Sequence, residues 1–235
     1  MAEFSGHLSL RAARREDGPT VLPGQSFSAP FHLSKTYWDA DAGVLLAQVV
    51  NPTAGILAGD RLESDIAVGR DAALCVTTPS ASRVFTMRQG AAECRQHFRV
   101  AAGGWLEVAP EPLVPHRGSH YRQVTTVNVE EGGGLFFVDQ LQPGRVAHGE
   151  AWTWARLRLE LDVRLGPERV LRERFDQTGA DLCALARLAG SGDAACFANA
   201  VLIDPSADAV EPAWRGTISA LHGKGLWVGV SALRR

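Results

Sequence analysis

The sequence predicts a mainly β protein: one stacked or helical, solenoid-like β layout with a few short helices near the C-terminus. Three observations lead there. Leu157, Leu159, Leu161, Val163 and Leu165 alternate with Arg158, Glu160, Asp162 and Arg164, a period of two that makes one face apolar and the other charged. A weak internal repeat runs from Val68 (VGRDAALCV), Val100 (VAAGGWLEV) and Val129 (VEEGGGLFFV), with starting valines 32 and then 29 positions apart. Helix signals are confined to the last third of the chain.

Each repeat reads as strand, glycine-containing turn, strand. The spacing suits stacked supersecondary units, and a plain run of hairpins satisfies the same pattern. Gly132, Gly133 and Gly134 lie between two strands rather than before a helix, so they read as a hairpin turn. In the long alternating strand, burying five aliphatics yields roughly 8–15 kcal/mol. Ordering its backbone costs about 9–18 kcal/mol. That strand must therefore share its apolar face with a second sheet layer. Residues 180–189 are good helix formers, with Gly179 before them and Gly190 as a stop. Residues 190–193 read as a turn. A second helix fits 208–221, broken near Pro212. The end of the chain, 226–230, reads as a strand. No stretch is long enough to link two domains, so residues 1–235 are expected to form one, with a C-terminal segment expected beyond the last residue.

With 235 residues, 46% hydrophobic and 21% charged, the composition is that of a globular protein. A net charge of -2 offers no electrostatic case for nucleic acid or an anionic membrane as main partner. No apolar run approaches the ~20 residues that cross a bilayer. Cys75, Cys94, Cys183 and Cys196 form no C-x-x-C pair, and Met1 to Phe4 lack the basic start and apolar run of a leader. A cytoplasmic location and reduced, buried cysteines are the expectation.

Two phrases stand out. Residues 52–62 (PTAGILAGDRL) form a small-residue turn that delivers Asp60 to the start of a strand. Gly55 and Gly59 permit the close backbone approach this requires. Residues 77–85 (TTPSASRVF) end a strand at Pro79 and carry hydroxyls and Arg83 into a loop. Glu63 and Asp65 share one strand face and Asp60 lies on the other, a poor carboxylate pair. His116 and His120 flank a turn, and His148 lies in the loop 144–150, but their spacing matches no known metal cage. The segment 222–225 lacks the spacing of a phosphate loop. Ser80, Ser82 and Ser119 have no nucleophile-elbow context. Gly144, Arg145, Gly149 and Glu150 form a loop whose two charges either pair with each other or meet a partner. No catalytic, cofactor or resident metal residue is assigned.

Taken in order, these phrases resemble the UreD (also UreH) family of urease accessory proteins. They are 6–10 (GHLSL), 52–62, 77–85, 106–119 and 144–150, followed by the long alternating strand. The matching positions are Gly55, Gly59, Thr77, Thr78, Pro79, Arg83, Gly144, Arg145 and Gly149. Ala54 and Ala58 stand where glycine is common in the family, and Phe85 where tyrosine is. The resemblance implies a non-enzymatic protein that joins UreF and the GTPase UreG, with a dimer inside that accessory complex. Such a protein docks on apo-urease and assists nickel insertion, touching nickel at most transiently. Asp60 and Glu150 match acidic family positions and are the implied nickel-path or interface residues. From another class, the alternative is a carbohydrate-active enzyme on a β-solenoid. It would pair Asp60 or Glu63 with Glu150 and line an exposed groove with Trp105, Trp152 and Trp154.

Overall fold

The computed structural model describes residues 5–16, 18–188, 190, 192, 195–223 and 225–233, with backbone alone at 207–212. Met1 to Phe4, Ala189, Ser191, Asp193, Lys224, Arg234 and Arg235, on which several sequence expectations fall, lie outside the described residues. In chain order the strands begin β1 (Ser5–Arg14), β2 (Thr20–Phe27), β3 (His32–Leu33), β4 (Tyr37–Asp39), β5 (Val44–Val50) and β6 (Arg61–Val68). They continue β7 (Ala73–Thr77), β8 (Ser82–Val84), β9 (Ala92–Val100), β10 (Trp105–Ala109), β11 (Leu113–Pro115) and β12 (His120–Val129). Then come β13 (Gly134–Leu141), β14 (Gly144–Arg145), β15 (Glu150–Ala151), β16 (Arg156–Leu165), β17 (Glu168–Gln177), helix α1 (Gly179–Leu188), β18 (Phe197–Ile203) and helix α2 (Ala207–Ser219).

The chain shuttles between two sheets. The seven-stranded sheet runs β17-β16-β12-β9-β6-β1-β2, and the nine-stranded sheet follows β3-β5-β7-β10-β13-β11-β8 with β4 and β18 attached. Successive passes pair in parallel: β1 with β6, β6 with β9, β9 with β12, β12 with β16. In the facing sheet β5, β7, β10 and β13 do the same. This is a solenoid in which each coil contributes a strand to either layer. Val68 pairs with Val100 and Val100 with Val129, so the three repeat valines are stacked neighbours. Antiparallel partners close the stack: β2 and β17 on one sheet, β3, β4 and β18 on the other. Covering the outermost parallel strand protects its unpaired backbone groups.

The structure corrects several local expectations. Gly132 to Gly134 do not turn a hairpin, because β12 and β13 belong to different sheets; the glycines carry the chain between layers. The second phrase ends its strand at Thr77, and Arg83 lies on the short strand β8, held by β11. Helix α2 continues through Pro212, where the missing N–H removes a single bond near the helix start. Residues 226–230 make no strand. All four cysteines are free, yet only Cys94 is buried and Cys196 is exposed.

The space between the layers holds two apolar clusters. One contains Ile66, Val68, Phe98, Val100, Val127, Val129, Leu135 and Phe137. The other contains Leu62, Cys94, Tyr121, Leu157, Trp152, Trp154 and, from α1, Leu182 and Ala186. No helix among the described residues is long and apolar enough to cross a membrane.

Candidate functional site: a polar seam and the corner beside it

Between the clusters the inward face of the strands turns polar for one or two positions. Ser64 on β6 pairs with Gln96 on β9, and Gln96 with Thr125 on β12; Gln123, two positions earlier, pairs with Cys94. Across the layers, β13 contributes Asp139 in alternation with buried Phe137 and Leu141. The groups hydrogen-bond to one another. Thr125 Oγ1 donates to Gln96 Oε1 at 2.8 Å, Tyr121 Oη to Gln123 Oε1 at 3.1 Å, and Gln123 Nε2 reaches Asp139 Oδ1 at 3.5 Å.

Two cavities meet on this seam. One, of about 180 Å³, reaches from Thr53, Gly55, Thr77, Thr78, Pro79 and Arg83 inward to Gln96, Gln123 and Asp139. The other, of about 500 Å³, runs from Gln123 and Asp139 toward Glu173, Phe175, Phe197 and Asn199. Leu113, Gln123, Asp139 and Gln140 line both. Thus the two conspicuous sequence phrases form the mouth of an interior polar space. The Glu173–Asn199 hydrogen bond stands at its other end.

Burial dominates the electrostatics here. Desolvation pushes the Asp139 carboxyl up to about 6, partly offset by the Gln123 amide. The Cys94 thiol is pushed up to about 11, again by burial, and the Tyr121 phenol rises for the same reason. Asp139 is therefore largely ionised at neutral pH, in surroundings that would welcome a cation. Among the described residues, no group of three or more His, Cys, Asp and Glu is placed to hold a metal ion. One carboxylate among amides and hydroxyls attracts a divalent ion without the ligand number of a cage.

The remaining motif residues meet at an adjoining corner, where successive coils stack. Ile56 bridges Val84 in parallel, and the Ile56 N–H donates to the Arg83 carbonyl at 2.8 Å. His116 N–H donates to the Val84 carbonyl at 2.9 Å, joining the next coil. Gly55 has φ +149°, and a Cβ there would lie 2.6 Å from the Arg83 carbonyl and 2.7 Å from the Phe85 ring. Only glycine fits that approach. Gly144, with φ +113°, is equally confined by the Glu150 and Pro115 carbonyls. The Phe85 ring lies 4.7 Å from that of His116.

Arg145 and Glu150 resolve in favour of pairing: Nη2 to Oε2 is 2.7 Å and Nε to Oε2 is 2.9 Å. The Arg145 hydrogen bond, helped by the Arg117 backbone N–H, holds the Glu150 carboxyl below its usual range. Burial, and then Arg145, lower the pKa of His116. Gly149 takes φ +66° to end the short 3-10 turn before Glu150. Asp60 is 2% exposed and accepts the Leu57 N–H at 2.8 Å, holding the 52–62 turn closed. Gly59 fastens the same turn through its N–H to the Ala91 carbonyl. Asp60 and Glu150 are absent from the lining of both cavities, while Thr77, Thr78, Pro79 and Arg83 line the first.

Ser64, Gln96, Gln123, Thr125 and Asp139 were not singled out by sequence reasoning. Their signal was parity: Ser64 falls between inward Leu62 and Ile66, and Gln96 between inward Cys94 and Phe98. The carbohydrate alternative loses two of its three groove aromatics, since Trp152 and Trp154 are 6% and 3% exposed, their rings 5.6 Å apart and tilted at 57°.

A solenoid-like β protein with a polar seam through its core, and its sequence motifs gathered at the seam's mouth and corner, is the class these observations define. Residues 5–235 match the family described as UreD urease accessory protein. The chain is 66% identical to the urease accessory protein UreD of Opitutus terrae over 232 residues, 99% of this chain and 85% of that protein. It is 32% identical to the UreD of Kocuria rhizophila over 76% of this chain and 49% of that protein. Against the UreD of Yersinia enterocolitica the identity is 38%, over 61% of this chain and 45% of that protein. The chain belongs to the UreD family, and with it to the proteins of urease maturation.

Proposed function

We propose that this protein is a non-catalytic scaffold that docks on apo-urease together with UreF and the GTPase UreG, and that it assists delivery of nickel to the urease active site. The observation that carries this reading is the polar seam shared by two cavities, with Gln123, Asp139 and Gln140 lining both. A hydrated divalent ion moving between the layers would exchange water for hydroxyl and amide oxygens. Where the two cavities meet it would encounter the Asp139 carboxylate, whose burial favours a passing positive charge. Too few ligands converge to retain it, which suits transient cargo better than a resident cofactor. In this reading the mouth is formed by Thr77, Thr78 and Arg83, and Arg145 with Glu150 and Asp60 shape the adjoining corner as interface or path residues. The protein acts in the cytoplasm, within an accessory complex that contains it as a dimer.

Co-expression with UreF, UreG and apo-urease from one source tests the scaffold. Co-elution on size exclusion that disappears without this chain is the expected result; a folded chain eluting alone beside all partners would refute it. Asp60→Ala and Glu150→Ala test the corner: both leaving complex formation and urease activation intact would remove these residues from the function.

A further inference from the structure

The outward face of the seven-stranded sheet is the other conspicuous surface of this molecule. The inward positions of β1, β6, β9, β12 and β16 are filled by the core and the seam, so the alternate positions all project outward. Parallel register aligns them into rows: in one, Glu93 stands between Arg61 and Arg122, and Arg122 pairs onward with Arg158. This face, with the outward positions of β17, carries eleven of the chain's 24 basic residues and six of its 26 acidic ones. All eleven are arginine. A chain of net charge -2 is thus strongly dipolar, with its positive charge concentrated on one sheet. Nine of the ten ion pairs seen between described residues lie here, Arg145–Glu150 being the other, and among them are Arg99–Asp65 at 2.6 Å and Arg169–Asp162 at 2.9 Å. Those pairs leave a surplus: Arg61 and Arg172 make no ion pair among the described residues.

Size and chemistry both indicate what the face fits. Seven strands about 4.8 Å apart, read over four outward rows, present roughly 800 Å², one partner's share of a standard protein interface. Arginine is enriched in such interfaces, where its planar fork pairs with carboxylates. Carboxylates interleaved with the arginines disfavour a uniform polyanion such as nucleic acid, whereas a folded protein can match both signs. A polar surface of this kind suits a partner that must be released.

We propose that this arginine-rich sheet face is the docking surface for the client of the maturation reaction, a carboxylate-rich surface of apo-urease; the assignment rests on the function proposed above. Electrostatic attraction accelerates the encounter and the register of alternating charge sets the orientation. The test uses immobilised apo-urease and the full chain in complex with its accessory partners, by biolayer interferometry from about 50 to about 400 mM NaCl. The wild type binds and weakens steeply with salt. Arg61→Glu with Arg95→Glu and Arg172→Glu loses about ten-fold or more in affinity. The triple change of the same positions to Gln, which is less disruptive to folding, loses part of it. Arg70→Glu with Arg88→Glu and Arg187→Glu, the same change in net charge elsewhere, binds as wild type. If wild type binds and the face variants bind equally well, the face is not the docking surface, although the scaffold stands. If both charge-reversal triples lose affinity equally, net charge alone acts and the face assignment falls. Duplex DNA binding the face with the same salt dependence would overturn it in favour of a nucleic acid. If wild type fails to bind apo-urease at any salt, the proposed function itself fails.

Discussion

On one side of the seam Phe98, Val100, Val127, Val129, Leu135 and Phe137 are at most 2% exposed and bring no polar side-chain atom into the core. On the other side, His116 Nε2, Ser119 Oγ, Trp152 Nε1 and Trp154 Nε1 are buried without a hydrogen-bond partner among the described residues. Both regions hang on the same strands: β6, β9 and β12 each pass from one into the other within a few residues. The dry half holds the coils together through apolar area. The polar half, where donors and acceptors are costly to bury, is also where the sequence motifs collect. A uniform aliphatic interior would make a more stable solenoid, so the seam and its corner are where stability yields to function.

The largest break in this contrast comes from the dry half. Phe98→Ala or Phe137→Ala should cost about 3–5 kcal/mol, read as a shift of the urea midpoint, with coils on both sides of the change loosened. Gly55→Ala follows. A side chain at φ +149° costs about 1–3 kcal/mol in backbone strain alone, and the clash with the Arg83 carbonyl adds to it. Thermal melts should show the loss, and Arg83→Ala should not rescue it, because the obstruction is backbone.

Asp139→Asn sharpens the comparison in the opposite sense. Its folded pKa, about 6, lies above the unfolded value, so the penalty is absent below about pH 4, grows as pH rises, and is complete above pH 6. The variant should gain up to about 3 kcal/mol over wild type at pH 8 and nothing near pH 4. If nickel passes this carboxylate, urease activation should fall while stability rises. The smallest effect is at the corner. With Glu150→Ala the raising influence of that carboxylate on His116 is removed while Arg145 remains. The His116 pKa, followed by NMR, should then drop below its wild-type value.

How much of this was readable in the chain depends on the range of the signal. The 157–165 alternation became β16, the valine repeat became stacked neighbours, and the 180–189 helix became α1 within a residue or two. Each of these signals is local or recurs at a fixed period. The seam was not legible, because Ser64, Gln96 and Thr125 are isolated polar residues about thirty positions apart that only parallel register brings side by side, and Asp139 reaches them from the facing sheet. The hairpin reading of Gly132 to Gly134 failed for a related reason. A glycine turn between strands has the same chemistry whether the next strand pairs with the last or crosses to another layer. Pro212 misled because a proline signal is local, whereas helix α2 continues on both sides of it. Arg145 and Glu150 lay close enough in sequence for their pairing to be foreseen as one of two outcomes.

In the function proposed above, the polar seam, and not the scaffold alone, serves nickel delivery. Gln96→Leu combined with Gln123→Leu makes the seam apolar with little change in volume, and leaves the Thr125 and Tyr121 hydroxyls without their acceptors at a cost of about 1–3 kcal/mol each. The decisive measurement is the nickel content per active site of urease co-expressed with this variant, by elemental mass spectrometry, after confirming that the variant still co-elutes with its partners. Intact complexes and urease depleted in nickel are the expected result. Urease loaded to the wild-type level by an intact complex would contradict it.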